Sequence, residues 1–118
     1  MIDFREEKTF KNLKNGDVLF KQGDAGDFMY AVVKGEVEMR VKDTYVTSAR
    51  ENEFFGEMAV LDDQPRSATA YAVGDTAVAV ITKERFMEML AEDHEFSLQI
   101  IRVLINRLRA ETKMKEFW

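Results

Sequence analysis

The sequence lacks several residue types on which whole classes of protein depend. Its 118 residues include no cysteine, a single histidine (His94) and a single proline (Pro65). Without cysteine there is no disulfide, no thiolate zinc site and no cysteine nucleophile. One histidine does not supply the His-rich ligand sets of most zinc and non-haem iron enzymes. These absences predict a protein that binds rather than catalyses, with no catalytic residues, no metal and no cofactor.

Long apolar runs are also missing. None approaches the length needed to span a membrane, and the start Met-Ile-Asp-Phe-Arg-Glu-Glu-Lys is too acidic for a signal peptide. We therefore expect a cytoplasmic protein with no membrane partner. Apolar residues make up 46% of the chain and are spread along it, which excludes disorder. The length predicts a single domain, residues 1–118.

Acidic residues outnumber basic ones, with a formal net charge of −5. Residues 1–95 carry 12 basic and 20 acidic groups, whereas residues 96–118 carry five basic and two acidic groups. Nucleic-acid binding draws most of its free energy from contacts between basic side chains and phosphates. The acidic body therefore argues against a nucleic-acid partner, and the basic end is typical of a solvated helix face.

The first two thirds of the chain has the pattern of short strands. Residues 36–42 alternate strictly, with Val37, Met39 and Val41 on one face and charges on the other, which indicates a half-buried strand. Other β-rich segments are bounded by glycine turns, and Gly74-Asp75 is a hairpin signal. Six to eight such strands over about residues 10–81 predict an antiparallel sandwich or barrel.

The period changes to that of helices after Ile81. Thr82 is placed to cap a helix over about residues 83–90, and Asp93 to cap a second over about 95–116. The apolar residues of the second helix cover an arc of roughly 220°, whereas a surface helix needs ~100°. The surplus predicts a second contact surface, either a partner helix or a ligand.

Residues 54–70 break the strand rhythm and bring together groups suited to binding an anion. Gly56 frees the backbone ahead of one helical turn at residues 57–61, whose first N–H groups are unpaired. Pro65 fixes the entry into the next strand and places Arg66 and Ser67 at its start. Arginine offers a planar fork for a phosphate, and serine adds a hydroxyl donor.

Further residues in this segment suit a ligand that carries hydroxyl groups. An ionised Glu57 only accepts hydrogen bonds, as recognition of a hydroxyl group requires. Ala68, Ala70 and Ala72 share one face of the following strand, where small side chains leave room. Taken alone, Arg66 reads as a surface arginine near Asp62 or Asp63, and Glu57 as a residue that favours a first helical turn.

The order and spacing of these segments resemble the cyclic nucleotide-binding domain family in its compact bacterial form, over nearly the whole chain. The most specific part is the Gly-Glu pair at Gly56, which precedes Pro-Arg-Ser-Ala by nine residues. The segments that carry the resemblance are Gly16–Phe20, Gly23-Asp24, Tyr30–Val37, Phe55–Ala59 and Pro65–Thr69.

The resemblance implies an eight-stranded antiparallel β-roll, or jelly roll, with flanking helices and two helices at its C-terminal end. It also implies a sensor of the catabolite-activator type without a DNA-binding domain, with cAMP or cGMP as ligand. Glu57 would then bind the ribose 2′-OH, and Arg66 the cyclic phosphate. In the family, threonine after this arginine often accompanies a preference for cGMP, so the resemblance with Ser67 at this position favours cAMP. The candidate ligand-binding residues, some acting through the backbone, are Gly56, Glu57, Met58, Ala59, Arg66, Ser67 and Ala68.

The resemblance gives the last helix the role of a lid or a dimer contact. We therefore expect a cyclic mononucleotide as ligand, and either a homodimer through this helix or an effector protein as partner. The alternative is a ligand-free β-roll of the same fold that acts as a dimerisation or docking module. His94 stands where the family often has proline before the last helix, and we assign it no role.

Overall fold

The computed structural model describes residues 3–113, which fall into two compact units, residues 3–86 and residues 87–113. A 3₁₀ turn at Phe4–Glu6 precedes the first strand. Within the described residues there are six strands and three α-helices. They are β1 (Phe10–Leu13), β2 (Val18–Phe20), β3 (Phe28–Val41), β4 (Thr44–Arg50), β5 (Phe54–Phe55), α1 (Glu57–Asp62), β6 (Thr69–Thr82), α2 (Lys83–Glu92) and α3 (His94–Lys113).

The strands of residues 3–86 form one antiparallel sheet. Its order is β1-β6-β3-β4, with β2 also paired to β6 and β5 also paired to β3. The predicted fold class, an antiparallel β structure followed by two helices, is confirmed. The strands number six across the described residues, where the resemblance implied eight. The difference arises because β3 and β6, at 14 residues each, run through positions where the sequence predicts breaks.

Strands β3 and β6 each bend at a glycine instead of ending there. Gly35 and Gly74 have φ values of +88° and +73°, and the pairing register between the strands shifts across Gly35. The buried Thr76 hydroxyl lies 3.1 Å from the carbonyl oxygen of Gly74 and 3.2 Å from that of Glu36. The predicted hairpin at Gly74 is therefore wrong. A positive φ also permits a bulge within a continuous strand, and sequence alone does not separate the two.

The core of residues 3–86 lies on the apolar face predicted from the alternation in β3. Val37 is fully buried and Met39 nearly so. An aromatic cluster completes this core: the ring centroids of Phe20 and Tyr30 are 5.9 Å apart, and those of Tyr30 and Phe55 are 5.6 Å apart. This cluster lies beneath the segment that carries the candidate site.

The two C-terminal helices begin at the predicted caps. The Arg85 N–H donates to the Thr82 hydroxyl at 3.1 Å, and the Phe96 N–H donates to the Asp93 carboxylate at 3.0 Å. The hydrogen bond from Phe96 lowers the pKa of Asp93. The helices span Lys83–Glu92 and His94–Lys113, against predictions of about 83–90 and 95–116. Residues 114–116 of the second prediction lie outside the described residues.

Helix α3 has more apolar surface than one contact face requires. Phe96 and Ile100 are buried, whereas an apolar stripe on the same helix is exposed. The members of this stripe are each 42–52% exposed and follow one another at intervals of three, four and three residues: Leu98, Ile101, Ile105 and Leu108. This repeat is that of the seam of a two-stranded coiled coil.

Candidate functional site

Helix α1 begins at a glycine whose conformation and position both exclude a side chain. Gly56 has a φ of 80° in the left-handed region and immediately precedes Glu57, the first residue of the helix. A Cβ atom at Gly56 would lie 2.7 Å from Nη1 of Arg66, closer than real Cβ atoms approach their neighbours. The absence of a side chain at Gly56 therefore lets the guanidinium reach the start of α1.

Arg66 joins three separate parts of the chain. It lies just before β6, and only 4% of its surface is exposed. Its Nη1 donates to the carbonyl oxygen of Gly56 at 2.9 Å, and its Nη2 donates to the carbonyl oxygen of Phe28. These two hydrogen bonds tie the start of α1 and the start of β3 to the segment ahead of β6.

Aromatic rings hold the guanidinium of Arg66 from one side. Its Cζ lies 4.2 Å from the ring centroid of Phe20 and 5.7 Å from that of Tyr30. A cation within about 6 Å of a ring face is attracted by the ring quadrupole. The guanidinium therefore packs on the faces of two rings of the aromatic core cluster.

The positive charge of Arg66 is buried. Burial lowers the pKa of Arg66, and the neighbouring Tyr30, Asp27 and Asp24 counteract that shift. Burial also raises the pKa of Tyr30, against the effect of Arg66. An arginine remains protonated in proteins. Among residues 3–113, no carboxylate forms an ion pair with Arg66, and its buried Nε has no acceptor within hydrogen-bonding distance. A buried cation in this state is suited to an anionic ligand.

The other candidate residues divide into buried and exposed groups. Glu57 is fully buried and Ala59 nearly so, whereas the side chain of Met58 is 40% exposed. Ser67 is exposed at a bend beside Arg66, and Ala68 is half-buried against the hydrophobic core. The structure therefore brings Gly56 and Arg66 into direct contact, with Glu57 and Ser67 as their neighbours in the chain.

The small residues of β6 do not leave the space that the sequence suggested. Ala70 and Ala72 are buried and belong to the hydrophobic core cluster, together with Val37 and Met39. Their small size serves close packing between β6 and β3, whose residues they face in the register.

Sequence reasoning missed the residues that hold the guanidinium of Arg66. Phe20, Tyr30 and the Phe28 carbonyl lie some forty positions earlier in the chain. The apolar character of the first two was visible, but no local spacing pairs them with an arginine so far away. Only the pairing of β2 and β3 with β6 brings them together.

A cleft of about 260 Å³ opens beside the site, between residues 23–27 and the loop after α1. Of the seven candidate residues, only Ala59 lines it; Asp27, Asp63 and Pro65 are among its other lining residues. The cleft therefore borders the Arg66 site: Pro65, which lines it, precedes Arg66 in the chain, and a Cβ atom at Gly26, another lining residue, would lie 3.4 Å from Cζ of Arg66.

Two negative observations apply to the part of the chain from residue 3 to residue 113. No group of three or more histidine or acidic side chains is arranged to hold a metal ion there. No helix in that part is long and apolar enough to cross a membrane.

The sequence matches the family described as the cyclic nucleotide-binding domain over residues 10–93. Among curated proteins, a cAMP-dependent protein kinase regulatory subunit from Debaryomyces hansenii is 42% identical over 99 residues. The match covers 77% of this chain and 22% of that protein. The chain thus spans about a fifth of the length of this relative.

Two solved structures have a fold similar to that of this chain. The cGMP-bound form of the EAL enzyme Bd1971 has a TM-score of 0.69 and 34% identity, covering 90% of this chain and 30% of that one. The catabolite activator protein of Thermus thermophilus has a TM-score of 0.80 and 28% identity, covering 91% of this chain and 53% of that one.

Proposed function

The chain belongs to the cyclic nucleotide-binding domain family, and on that premise we propose that it is a non-catalytic regulatory domain that binds a cyclic nucleotide at residues 56–68. In this proposal Arg66 binds the cyclic phosphate and Glu57 binds the ribose 2′-OH. The single domain and the cytoplasmic location expected from the sequence remain predictions.

The observation that supports the proposal best is the state of Arg66. Its charge is buried without an ion pair among the described residues, and its Nε has no acceptor there. A buried charge of this kind costs free energy unless a counter-charge reaches it. An exocyclic phosphate oxygen would supply both the negative charge and the acceptor for Nε.

In this proposal, the residues around Arg66 supply the remaining donors and acceptors that a cyclic nucleotide needs. The buried carboxylate of Glu57 is placed at the start of α1, where an acceptor for a ribose hydroxyl is expected. The backbones of Gly56 and Met58, the exposed Ser67 hydroxyl and the Ala68 backbone would complete the contacts. Ala59, which is buried, would fix α1 by packing. Each of these roles is part of the proposal.

We propose cAMP rather than cGMP as the preferred ligand. Ser67 follows the arginine where threonine often accompanies cGMP preference in the family. The curated relative described above is named as a regulatory subunit of a cAMP-dependent protein kinase, and the similar EAL enzyme has structures in a cAMP-bound and a cGMP-bound form. The preference is therefore to be tested with both nucleotides.

The last helix is expected to act either as a lid or as a dimer contact. The exposed apolar stripe of α3 favours the dimer contact. Its intervals of three, four and three residues match a coiled-coil seam, and the helix spans 20 residues. We propose a homodimer through α3. A ligand-free dimerisation module of the same fold is the second candidate, because the same stripe would serve it equally well.

Calorimetric titration of the full chain with cAMP and cGMP tests the proposed function. We expect Arg66→Leu to lower the affinity by about 100-fold or more, since hydrogen bonds to charged groups contribute about 1.5–3 kcal/mol each. Arg66→Lys should also bind weakly, because one ammonium does not replace a fork that already bonds two carbonyl groups.

Arg50→Leu is the matched control. Its Nε lies 3.3 Å from the carboxylate of Glu36 and its side chain is 75% exposed, so the ion pair contributes little. Thermal midpoints establish that each variant is folded. A folded Arg66→Lys with unchanged affinity would contradict the site. A wild-type chain that binds neither nucleotide at millimolar concentration would favour the ligand-free module.

A further inference from the structure

A short pattern, Lys-Asn/Gln-Gly-Asp, occurs twice and forms the same turn each time. The copies are Lys14–Asp17 and Lys21–Asp24. In each, the aspartate carboxylate accepts a hydrogen bond from the lysine N–H three residues earlier, at 2.8 Å in the first turn and 2.9 Å in the second. The aspartate N–H donates back to the lysine carbonyl at 2.9 Å and 3.0 Å respectively. The two turns therefore have the same internal bonding.

Each turn also holds one residue from a distant part of the chain by two backbone hydrogen bonds. In the first turn, the Gly16 N–H donates to the Ala72 carbonyl at 2.8 Å, and the Ala72 N–H donates to the Asp17 carbonyl at 2.9 Å. In the second turn, the Gly23 N–H donates to the Arg66 carbonyl at 2.8 Å. The Arg66 N–H donates to the Asp24 carbonyl at 2.7 Å.

Ala72 and Arg66 differ in the interactions that hold them apart from these turns. Ala72 lies inside β6, where its neighbours Tyr71 and Val73 pair with Glu38 and Glu36 of β3, so the sheet holds this stretch independently of the first turn. Arg66 lies before β6 begins at Thr69, and both of its backbone hydrogen-bonding groups bond to the second turn. Loosening the first turn is therefore expected to leave Ala72 in place, whereas loosening the second is expected to leave Arg66 held only through its side chain.

The chain that follows the second turn packs directly on the candidate site. A Cβ atom at Gly26 would lie 2.2 Å from Cβ of Ala59 in α1 and 3.4 Å from Cζ of Arg66. The turn therefore holds the backbone of Arg66 through Gly23 and Asp24, and the chain two residues later leaves no room for a side chain between itself and α1.

From this contrast we infer that Asp24 is a positioning residue for the cyclic nucleotide site, an inference that rests on the proposed function. Its carboxylate closes the turn whose backbone sets the position of Arg66. Asp17 closes an equivalent turn that holds no residue of the site. Both aspartates are exposed and close turns with the same internal bonding, so we expect their replacement to cost a similar amount of stability.

The test compares Asp24→Ala, Asp24→Asn and Asp17→Ala in the full chain, with cAMP affinity measured by calorimetry and stability by thermal midpoint. We expect Asp24→Ala to weaken binding about fivefold, the equivalent of one lost hydrogen bond. Asp17→Ala should lower the midpoint by a similar amount and leave the affinity within twofold. Asp24→Asn should retain most of the affinity, because its side-chain oxygen still accepts from Lys21.

Equal losses of affinity in Asp24→Ala and Asp17→Ala would overturn the inference, as would a failure of Asp24→Asn to restore binding. Amide hydrogen exchange without ligand separates this inference from the proposed function. We expect Asp24→Ala to speed exchange at Arg66 more than Asp17→Ala speeds it at Ala72. If the wild-type chain binds no cyclic nucleotide, the proposed function fails and the role in a ligand site fails with it, while the exchange data still decide whether Asp24 holds Arg66. Unchanged exchange at Arg66 in Asp24→Ala would overturn the inference whatever the chain binds.

Discussion

The Nη1 atom of Arg66 donates a hydrogen bond of 2.9 Å to the carbonyl oxygen of Gly56, and this contact closes the loop that contains α1. The arginine therefore has a structural role in addition to the proposed binding role. Replacing it removes the donor for the partly buried carbonyl of Gly56 as well as the charge, and so experiments on this site need variants that separate folding from binding.

Gly56→Ala is expected to disturb both stability and ligand binding. The left-handed backbone costs a residue with a Cβ atom about 1 kcal/mol, and the contact with Arg66 Nη1 at 2.7 Å adds about 1–3 kcal/mol of overpacking. Gly74→Ala is the control, since it has a φ of +73° but open space around the added atom. Chemical denaturation should show a larger loss for Gly56→Ala. Equal losses would mean that the guanidinium moves aside freely.

Glu57→Gln is expected to reduce recognition of the ribose. The substitution keeps the shape of a fully buried side chain but replaces one carboxyl oxygen by an amide NH₂, which cannot accept a hydrogen bond from a ribose hydroxyl. We expect about a tenfold loss in affinity for cAMP and a much smaller loss for 2′-deoxy-cAMP. Calorimetry with both ligands and both proteins gives the coupling between the carboxylate and the 2′-OH. The same loss for both ligands would place Glu57 outside ribose recognition.

The start of α3 is expected to loosen in acid. The hydrogen bond from the Phe96 N–H lowers the pKa of Asp93 below its ordinary value of 3.8, so this contribution to stability is present above about pH 4. It is lost as the pH falls through the lower pKa of the folded state. Amide exchange at Phe96, corrected for its intrinsic pH dependence, should therefore accelerate on acidification.

The cap of α2 provides the internal control for that measurement. The Arg85 N–H bonds to the neutral hydroxyl of Thr82, which does not titrate in this range. Its exchange should follow only global stability. If protection at Phe96 and Arg85 declined in parallel, the Asp93 carboxylate would not be the group responsible.

Ile101→Asp is expected to convert a dimer into a monomer. Ile101 lies in the middle of the exposed stripe of α3 and is 50% exposed, so a charge there costs little in the monomer but opposes burial in a coiled coil. Sedimentation at tens of micromolar should give a dimer for the wild-type chain and for the control Val46→Asp, which changes an exposed residue of β4. A monomeric wild-type chain would rule out the proposed assembly.

The sequence predicted what depends on local pattern. The alternation around Val37, the helix caps at Thr82 and Asp93 and the helical turn that follows Gly56 depend on nearest neighbours. The bend at Gly74 was mistaken for a hairpin because a turn and a bulge both need a positive φ. The partners of Arg66 were missed because contacts between segments forty residues apart depend on strand register, which no local pattern encodes. The roles of the site residues remain predictions for the experiments above.

The pairing of β3 with β6 also has a consequence for how the chain folds. Of the residue pairs between these two strands, Arg40 and Thr69 are the closest in sequence and Phe28 and Thr82 the most distant. The entropic cost of closing a loop grows with its length. We therefore expect β3 and β6 to pair first at Arg40 and Thr69, and then progressively toward Phe28 and Thr82. The whole of residues 41–68, Arg66 included, lies inside that first loop. Early closure would therefore confine the candidate site before the outer half of the sheet exists.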